Sequence, residues 1–357
     1  MSTFVPPWSP PRRDIGRRAF LTSAVGLGVA GLAACTVGTR NGAASNLTAA
    51  VPTTVPAGTK LSIAIHTTQI QLTASGQIGE LPFEVSQWPN LSAGPDVIQG
   101  FRANSVDLAN NAGIPPIQAR AIGFDTKIVA VQLNTKPAYK FATGPGTDIG
   151  SAKDFRGKKI AFSQGQAQGV VVLRALKEAG IDTKDVRLVA LPSTQFLTAL
   201  QGRQVDVAPL YEPVLTKYLG QYGKDGARAL ETDVVDLLSV LWAPTSVLED
   251  TAKAAAIRSF IPFWTRGLIW AWENPDAWID AYYVKDQGVS KEDGQRIIKA
   301  NPKPVFPRNW ESAIVWEQQT SDLLASGGYV AKTNVAGLFD RRFESVAASS
   351  APTSYRV

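Results

Sequence analysis

Cysteine and histidine are almost absent from this chain, since its 357 residues include one of each, Cys35 and His66. A single thiol cannot form an intramolecular disulfide, so the stability of the fold must come from packing. One histidine and one cysteine cannot supply a zinc-type ligand set, and we expect neither a metal nor a cofactor. The sequence also lacks a Ser-His-Asp arrangement and a glycine-rich phosphate loop, which gives no positive signal for hydrolysis or nucleotide binding.

Charge is scarce as well, because charged residues make up 18% of the chain and the formal net charge is +6. A positive charge this small and dispersed does not indicate a nucleic-acid partner. Hydrophobic residues at 45% are typical of a globular protein rather than a disordered or membrane-embedded one. No apolar run after Cys35 is long enough to cross a bilayer. The length suits two domains of ordinary size, each with its own core.

The first 34 residues carry, in order, the features of an export signal. Arg17-Arg18-Ala-Phe-Leu21 opens an uncharged stretch that ends in Leu32-Ala-Ala-Cys35. The arginine pair resembles a twin-arginine signal, although a general secretory signal can also begin this way. The Leu-Ala-Ala-Cys segment resembles a lipobox, which predicts cleavage before Cys35 and lipidation of its thiol. We therefore expect an exported protein that is lipid-anchored on the outer face of the cell membrane.

Alternating strands and helices follow in two consecutive blocks. Strands are predicted at Lys60–Ile65 and Lys127–Leu133 in the first block and at Val186–Leu191 and Val205–Leu210 in the second. This alternation predicts α/β lobes with largely parallel sheets. The expected boundaries are 1–34 for the signal peptide, 35–59 for a flexible tether, 60–138 for lobe 1, 139–243 for lobe 2, 244–347 for a helical return packing mainly on lobe 1, and 348–357 for a frayed tail.

Small, polar or glycine residues stand at the predicted carboxyl ends of the strands, where open α/β sheets bind ligands. Several of these segments precede helix N-termini, whose unpaired N–H groups and dipole favour an oxygen-rich anion. Hinge closure of two lobes over a solute would complete the site. The candidate ligand-binding residues are His66, Thr67, Gln69, Gly94, Asn111, Ala112, Gly113, Gln164, Gly165, Gln166, Ala167, Gln168, Tyr211 and Glu212.

Several segments resemble, in order and spacing, the substrate-binding proteins of ABC importers for nitrate, sulfonates, taurine and pyrimidine precursors. These segments are Leu61–His66, Ala93–Pro95, Asn104–Leu108, Gly113–Pro116, Asp154–Ala161, Asp206–Pro213, Glu317–Asp322 and Asn334–Val335. The resemblance covers about residues 60–345 and implies a two-lobed, type II periplasmic-binding-protein-like fold with the ligand cleft between the lobes. It also implies a small-molecule solute, ABC permease and ATPase subunits as partners, and a binding role rather than an enzymatic one. We expect a monomer.

Departures from the family pattern affect which class of solute the sequence predicts. Gln164, Gln166 and Gln168 surround a loop where compact hydroxyl residues are common, and Tyr211 stands where a tryptophan is common. No basic cluster lies in the predicted ligand loops. These departures favour an aliphatic sulfonate or taurine-like organosulfur compound, which amides and an aromatic wall can hold. Nitrate and a pyrimidine heterocycle of the thiamine-precursor type remain as alternatives.

Two titratable residues have more than one interpretation. His66 follows the predicted first strand, where it could contact the solute, pack structurally, or act as the base of an exported enzyme on the same fold. Glu212 could accept a hydrogen bond from an amine on the solute, or it could form a salt bridge. The cysteine-rich iron motif of the related pyrimidine-synthesising enzymes is absent, which disfavours that enzymatic alternative.

Overall fold

The computed structural model describes residues 47–357, which form ten strands and twelve α-helices. The strands are β1 (Lys60–Ala64), β2 (Glu84–Gln87), β3 (Leu108–Ala112), β4 (Thr126–Leu133), β5 (Tyr139–Thr143), β6 (Lys159–Phe162), β7 (Arg187–Ala190), β8 (Val207–Tyr211), β9 (Ala229–Leu230) and β10 (Leu238–Pro244). The helices are α1 (His66–Ala74), α2 (Gly94–Arg102), α3 (Ile114–Ala121), α4 (Ala167–Glu178), α5 (Phe196–Gln201), α6 (Val214–Tyr222), α7 (Thr245–Glu249), α8 (Thr251–Glu273), α9 (Pro275–Trp278), α10 (Lys291–Ala300), α11 (Glu311–Ser326) and α12 (Val346–Ser350). The predicted signal peptide, Cys35 and the first part of the predicted tether lie outside the described residues.

The first sheet has the strand order β2-β1-β3-β10-β4. Strand β1 pairs in parallel with β2 and β3, whereas β10 runs antiparallel to β3 and β4. Residues 61–64 of β1 and 128–131 of β4 are buried throughout, as expected for strands covered on both faces. The long helix α8 packs on β1, α1 and α12, and none of the helices within 47–357 is long and apolar enough to cross a membrane.

The second sheet has the order β7-β6-β8-β5-β9. Strand β6 is parallel to β7 and β8, and β5 is antiparallel to β8 and β9. Helix α4 follows β6 and buries Val170 to Leu173 against this sheet. A Cβ on Gly169 would lie 2.1 Å from the carbonyl oxygen of Ser163, so only glycine lets α4 begin this close to the end of β6.

Two segments cross between the sheets, residues 134–138 after β4 and residues 231–237 before β10. The backbone N–H of Asn134 donates to the carbonyl oxygen of Leu237 at 2.7 Å, and its Nδ2 donates to the carbonyl oxygen of Asp236 at 3.2 Å. The crossing segments are therefore hydrogen-bonded to each other between the two lobes. This arrangement agrees with the predicted pair of α/β lobes.

The predicted end of lobe 2 at residue 243 differs from the structure, because β10 belongs to the first sheet. Val240 and Leu241 of this strand are fully buried between β3 and β4. The apolar run of β10 identifies it as a strand, but its partners lie far earlier in the chain. Local pattern does not encode that pairing, so the boundary could not be read from the sequence.

The segment 348–357, predicted as a frayed tail, packs on the core instead. The side chain of Tyr355 is 4% exposed, and its hydroxyl donates to Glu273 Oε1 at 2.7 Å. The N–H of Phe306 donates to the carbonyl oxygen of Tyr355 at 2.8 Å. Burial of this aromatic ring keeps the segment packed on the core, although its composition alone is typical of a loop.

Two further predictions differ from the structure at elements that contact the core. Within the predicted tether, Val51 is 8% exposed and belongs to the main hydrophobic core. The sequence also predicts a helix over Asn334–Ala347. The structure interrupts it, because Phe339 forms a parallel bridge to Ile128 and the N–H of Asp340 donates to the carbonyl oxygen of Ile128 at 3.0 Å. Pairing with β4 replaces the helical hydrogen bonds at this point.

Candidate functional site

A cavity of about 590 Å³ lies between the two sheets and is lined by residues of both lobes. It is bordered by the carboxyl ends of β1, β3 and β8 and by the first turns of α1, α2 and α4. The strand ends that the sequence predicts as binding segments therefore lie beside this cavity. Nine of the fourteen candidate residues line this cavity, namely His66, Thr67, Gly94, Asn111, Ala112, Gln166, Ala167, Gln168 and Tyr211.

Gln164 and Gly165 line a neighbouring cavity of about 480 Å³ instead. They form part of a contact between the lobes. The Nε2 of Gln118 donates to the carbonyl oxygen of Gln164 at 3.2 Å, and a Cβ on Gly94 would lie 3.2 Å from the carbonyl oxygen of Gly165. The two lobes are thus in contact beside the main cavity.

Glu212, Gln69 and Gly113 are also absent from the lining of the main cavity. The Glu212 carboxylate accepts hydrogen bonds from the N–H of Thr216 at 3.1 Å and from its hydroxyl at 2.6 Å, and its Oε1 lies 3.4 Å from Arg296. This geometry favours the salt-bridge interpretation of Glu212 over the amine-binding one. Gln69 lies within α1, and Gly113 directly precedes α3.

The helices α1, α2 and α4 each begin at the cavity, and none of the three has a side-chain hydrogen bond at its N-terminus. Their first-turn N–H groups therefore have no side-chain acceptor, except that Pro95 of α2 has no donor to satisfy. Unpaired N–H groups and the positive end of the helix dipole favour an anionic oxygen. These three helices can therefore hold an oxyanion without a basic side chain.

Gln166 presents a donor to the cavity. Its Oε1 accepts hydrogen bonds from the Ser163 hydroxyl at 2.7 Å and from the Ser193 N–H at 3.0 Å, and the residue is 6% exposed. Among residues 47–357 its Nε2 donates no hydrogen bond. Because Oε1 is already engaged, the amide is fixed with its NH₂ group available to an acceptor on a solute.

His66 lies in the first turn of α1, and its Nε2 is 2.8 Å from Asp286 Oδ1. Burial alone would raise the pKa of Asp286, but hydrogen bonds from His66 and Gln287 outweigh it and hold the pKa below its ordinary value. Because an ionised carboxylate can only accept, Nε2 carries the proton in this pair. The ring is therefore oriented by Asp286, with Nδ1 as its other polar atom.

Asn111 is engaged at both ends of its amide. Its Oδ1 accepts from Trp242 Nε1 at 2.9 Å, and its Nδ2 donates to the carbonyl oxygen of Ser92 at 3.0 Å. Trp242 is fully buried against Phe101 in the first sheet. Asn111 therefore ties the loop before α2 to the core behind the cavity.

An acidic residue that the sequence analysis did not single out, Asp236, also lines the cavity. Burial raises the pKa of Asp236 to about 7, and the charge of Arg174 only partly offsets this. Burial, followed by the charge of Asp236, raises the pKa of Glu317 to about 8. Arg174 lies 4.0 Å from the centre of the Trp316 ring and donates to Thr320 Oγ1 at 2.8 Å. At neutral pH Glu317 is therefore protonated, and Asp236 is the carboxyl that can balance Arg174.

Three tyrosines, Tyr139, Tyr211 and Tyr282, line the same cavity. Tyr139 and Tyr211 are paired across β5 and β8, with their ring centres 6.1 Å apart in an edge-on arrangement. Burial raises the pKa of all three hydroxyls above the ordinary value for tyrosine. Each hydroxyl therefore stays protonated at neutral pH, and the three rings give the cavity an aromatic side.

Other lining residues differ in how far the sequence could have revealed them. Ser193 and Thr194 follow β7, so the rule that selected the other strand ends applies to them equally. Asp236 and Tyr282 come from a crossing segment and from a helical region, where no local pattern marks them. Within residues 47–357, no group of three or more His, Cys, Asp or Glu residues is placed to hold a metal ion.

Comparisons with known proteins agree with this architecture. The family model described as NMT1/THI5 like matches residues 90–278, more than half of the chain. An Escherichia coli (strain K12) protein named for binding aliphatic sulfonates is 30% identical over 149 residues, 41% of this chain and 47% of the relative. A protein of the same name from Bacillus subtilis (strain 168) is 23% identical over 238 residues, 66% of this chain and 70% of the relative. The first of these alignments thus spans about half the length of the relative.

Solved structures show the same fold. The crystal structure of the periplasmic aliphatic sulphonate binding protein SsuA from Escherichia coli superposes with a TM-score of 0.66 at 21% identity, covering 80% of this chain and 92% of that one. This likeness confirms the predicted two-lobed periplasmic-binding-protein fold.

Proposed function

Since the chain belongs to the NMT1/THI5-like family, we propose that it is the solute-binding component of an ABC importer and that its solute is an aliphatic sulfonate. The observation that carries this proposal is the cavity between the lobes, into which three uncapped helix N-termini point. Sulfonate oxygens would accept hydrogen bonds from these N–H groups and from the Nε2 of Gln166. The names of the two curated relatives support the same class of solute.

The size of the cavity favours an organic solute over a small inorganic ion. Its volume of about 590 Å³ lies within the range of sites for organic molecules, and a nitrate ion would leave most of it to water. The aromatic side formed by Tyr139, Tyr211 and Tyr282 would contact the carbon chain of the solute. A pyrimidine could also stack on these rings, but it would make no use of the helix N-termini as anion sites.

Titration calorimetry of the purified protein tests the proposal. We expect ethanesulfonate or one of its longer or amine-bearing analogues to bind with a saturable, one-site isotherm and to raise the melting temperature. Nitrate, inorganic sulfate and a hydroxymethylpyrimidine serve as competitors of the other classes. Saturable binding of nitrate or the pyrimidine, with no sulfonate bound, would contradict the proposed solute. The absence of any binding would contradict the proposed role.

The binding role implies that the solute leaves the cavity chemically unchanged. The alternative is an exported enzyme with His66 as its base; since Nε2 is hydrogen-bonded to Asp286, Nδ1 would be the atom that takes the proton. Incubation of each bound sulfonate with the protein, followed by mass spectrometry, distinguishes the two roles. Turnover that disappears in His66→Ala would refute the binding role, whereas recovery of intact solute supports it.

We further propose that Cys35 carries the lipid anchor and that the permease and ATPase subunits receive the solute from a monomeric, exported protein. Cys35 and the arginine pair at 17 and 18 fall outside the described residues, so this proposal stands on the sequence. Metabolic labelling with a fatty acid should mark the wild-type protein and not Cys35→Ser. Export that continues undiminished in the double Arg→Lys variant at 17 and 18 would exclude the twin-arginine route in favour of the general secretory one.

A further inference from the structure

A further cavity between the lobes, of about 370 Å³, shares Asn134, Ala138 and Tyr211 with the main cavity and otherwise has walls of its own. Lobe 1 contributes residues of α1, α8, α9 and α10, and lobe 2 contributes residues of β5, β8 and α6. The first crossing segment borders it, so we call it the hinge-side cavity. Its volume lies within the range of pockets that hold small organic molecules.

The lining of the hinge-side cavity carries a positive charge, in contrast to that of the main cavity. It includes Lys136, Lys140 and Arg296 against one acidic residue, Glu212, whereas none of the described residues that line the main cavity is a lysine or an arginine. Glu212 pairs with Arg296 at 3.4 Å, and Lys140 pairs with Glu231 at 2.6 Å. Within residues 47–357, Lys136 has no carboxylate within 4.0 Å. The lining therefore attracts an anion, and Lys136 is the cation that is available to pair with it.

Gln71 of α1 lines the hinge-side cavity with an amide that has no hydrogen-bond partner in the protein. The residue is 4% exposed, and its Oε1 is buried without a donor. This oxygen lies against α8, where a Cβ on Gly267 would be 3.1 Å away. Among residues 47–357 its Nε2 donates no hydrogen bond either. A buried amide with neither end satisfied costs free energy, and a ligand whose oxygen accepts from Nε2 recovers part of that cost.

Two tryptophans, Trp272 and Trp278, give the hinge-side cavity an aromatic side, which Ile297 and Ile298 of α10 extend. Trp278 is 7% exposed, and the ring of Tyr282 is stacked on it with the ring centres 4.7 Å apart. Trp272 is 37% exposed, which is unusual for so large an aromatic side chain. A flat apolar group that covers the Trp272 ring would remove this area from water. The cavity thus combines an aromatic side with a cation and an amide donor.

We propose that the hinge-side cavity is a second binding site, separate from the main cavity, and that it takes an aromatic monoanion such as an aryl carboxylate. The anionic group pairs with Lys136 and the ring packs on Trp272, while Gln71 is available to donate to a carboxylate oxygen. Because such a ligand contacts both lobes and the first crossing segment, it favours this arrangement of the lobes over more open ones. The inference goes beyond the proposed function, since it does not depend on which solute occupies the main cavity.

Titration calorimetry with 2-naphthoate tests this site on the wild-type protein, Lys136→Gln, Trp272→Ala and Lys224→Gln. Lys224 is an exposed lysine that lines neither cavity, which makes it the matched control. We expect one-site binding that Lys224→Gln leaves unchanged, that Lys136→Gln weakens about threefold and that Trp272→Ala weakens about tenfold. The uncharged 2-naphthamide should bind the wild type more weakly than 2-naphthoate does, and it should bind Lys136→Gln as well as the wild type because Lys136 has no charge to attract on it.

Competition with ethanesulfonate separates the two sites. Saturating ethanesulfonate should leave the affinity for 2-naphthoate unchanged or raise it, since both ligands favour the same arrangement of the lobes. Lys136 is exposed, so its variant keeps the test independent of whether Trp272→Ala folds. Displacement of 2-naphthoate by ethanesulfonate, an affinity that Lys136→Gln leaves unchanged, or no binding of 2-naphthoate would overturn the second site. Binding of 2-naphthoate that depends on Lys136, in a protein that binds no ethanesulfonate, would instead contradict the proposed function and leave the second site intact.

Discussion

Substituting Gly113 with alanine tests how tightly α11 packs behind the cavity. Gly113 has an ordinary helical φ of −64°, so alanine causes no backbone strain there. Its Cβ, however, would lie 2.2 Å from Glu317 Oε2 and 2.7 Å from Glu317 Cδ. Because carbon atoms normally pack at about 3.5–4.0 Å, the carboxyl would have to move by about 1 Å or more. Glu317 is 1% exposed, so any such movement takes place among the buried neighbours of its carboxyl.

We expect Gly113→Ala to lower the free energy of unfolding by about 1–3 kcal/mol, the usual cost of overpacking a well-filled interior. Urea denaturation followed by tryptophan fluorescence measures this change. Gly79→Ala is the matched control, since its Cβ would meet nothing within 4 Å and should change stability by no more than about 0.5 kcal/mol. In the double variant with Glu317→Ala the added cost should largely disappear. Equal unfolding midpoints for Gly113→Ala and Gly79→Ala would refute the reasoning.

Other parts of the structure give three further predictions. Glu317→Gln should gain stability relative to the wild type as the pH rises from about 5.5 to about 8, because the native carboxyl, with a pKa of about 8, keeps a proton that the unfolded chain releases. A difference between the urea midpoints of the variant and the wild type that is the same at both pH values would contradict this. Asp107→Asn should lower the free energy of unfolding in urea by about 1–3 kcal/mol, because it removes the charge that pairs with Lys253 at 2.7 Å and leaves one acceptor oxygen where Lys253 and the Ser62 N–H, at 2.9 Å, now use two. Asp125→Asn, at an exposed ion pair, should cost less than about 1 kcal/mol. Deletion of residues 349–357 should lower the melting temperature, since it uncovers the site filled by Tyr355; an unchanged melting curve would restore the interpretation of a frayed tail.

The fold was largely predictable because its strands and helices are locally consistent. Strand β4 is rich in β-branched residues and is observed at Thr126–Leu133, one residue from its prediction. Strand β10 shows the limit, since its apolar run predicts a strand but not its insertion between β3 and β4. Sheet order depends on contacts between distant parts of the chain, and a single sequence does not record them. The contact of Tyr355 with the core was unpredictable for the same reason.

The candidate site was predictable where it follows from strand ends and not where it depends on side-chain direction. His66 and Gln166 line the cavity because the loops after β1 and β6 open towards it. Glu212 follows β8 equally closely, yet its carboxylate turns to Thr216 and lines a different cavity. Asp236 and Asp233 look alike in the sequence, and only the crossing geometry buries one of them. Only the three-dimensional structure distinguishes these two aspartates.

The hydrogen bonds between the crossing segments have a consequence for how the protein would release its cargo. Asp236 and its neighbour Leu237 lie in one of the two segments that cross between the sheets, and Asn134 of the other crossing segment is hydrogen-bonded to the backbone of both. A solute that contacts Asp236 therefore contacts a segment that would serve as the hinge when the lobes open. Lobe opening and solute dissociation would then be coupled through the same segment. A variant whose lobes open faster should therefore also release the solute faster.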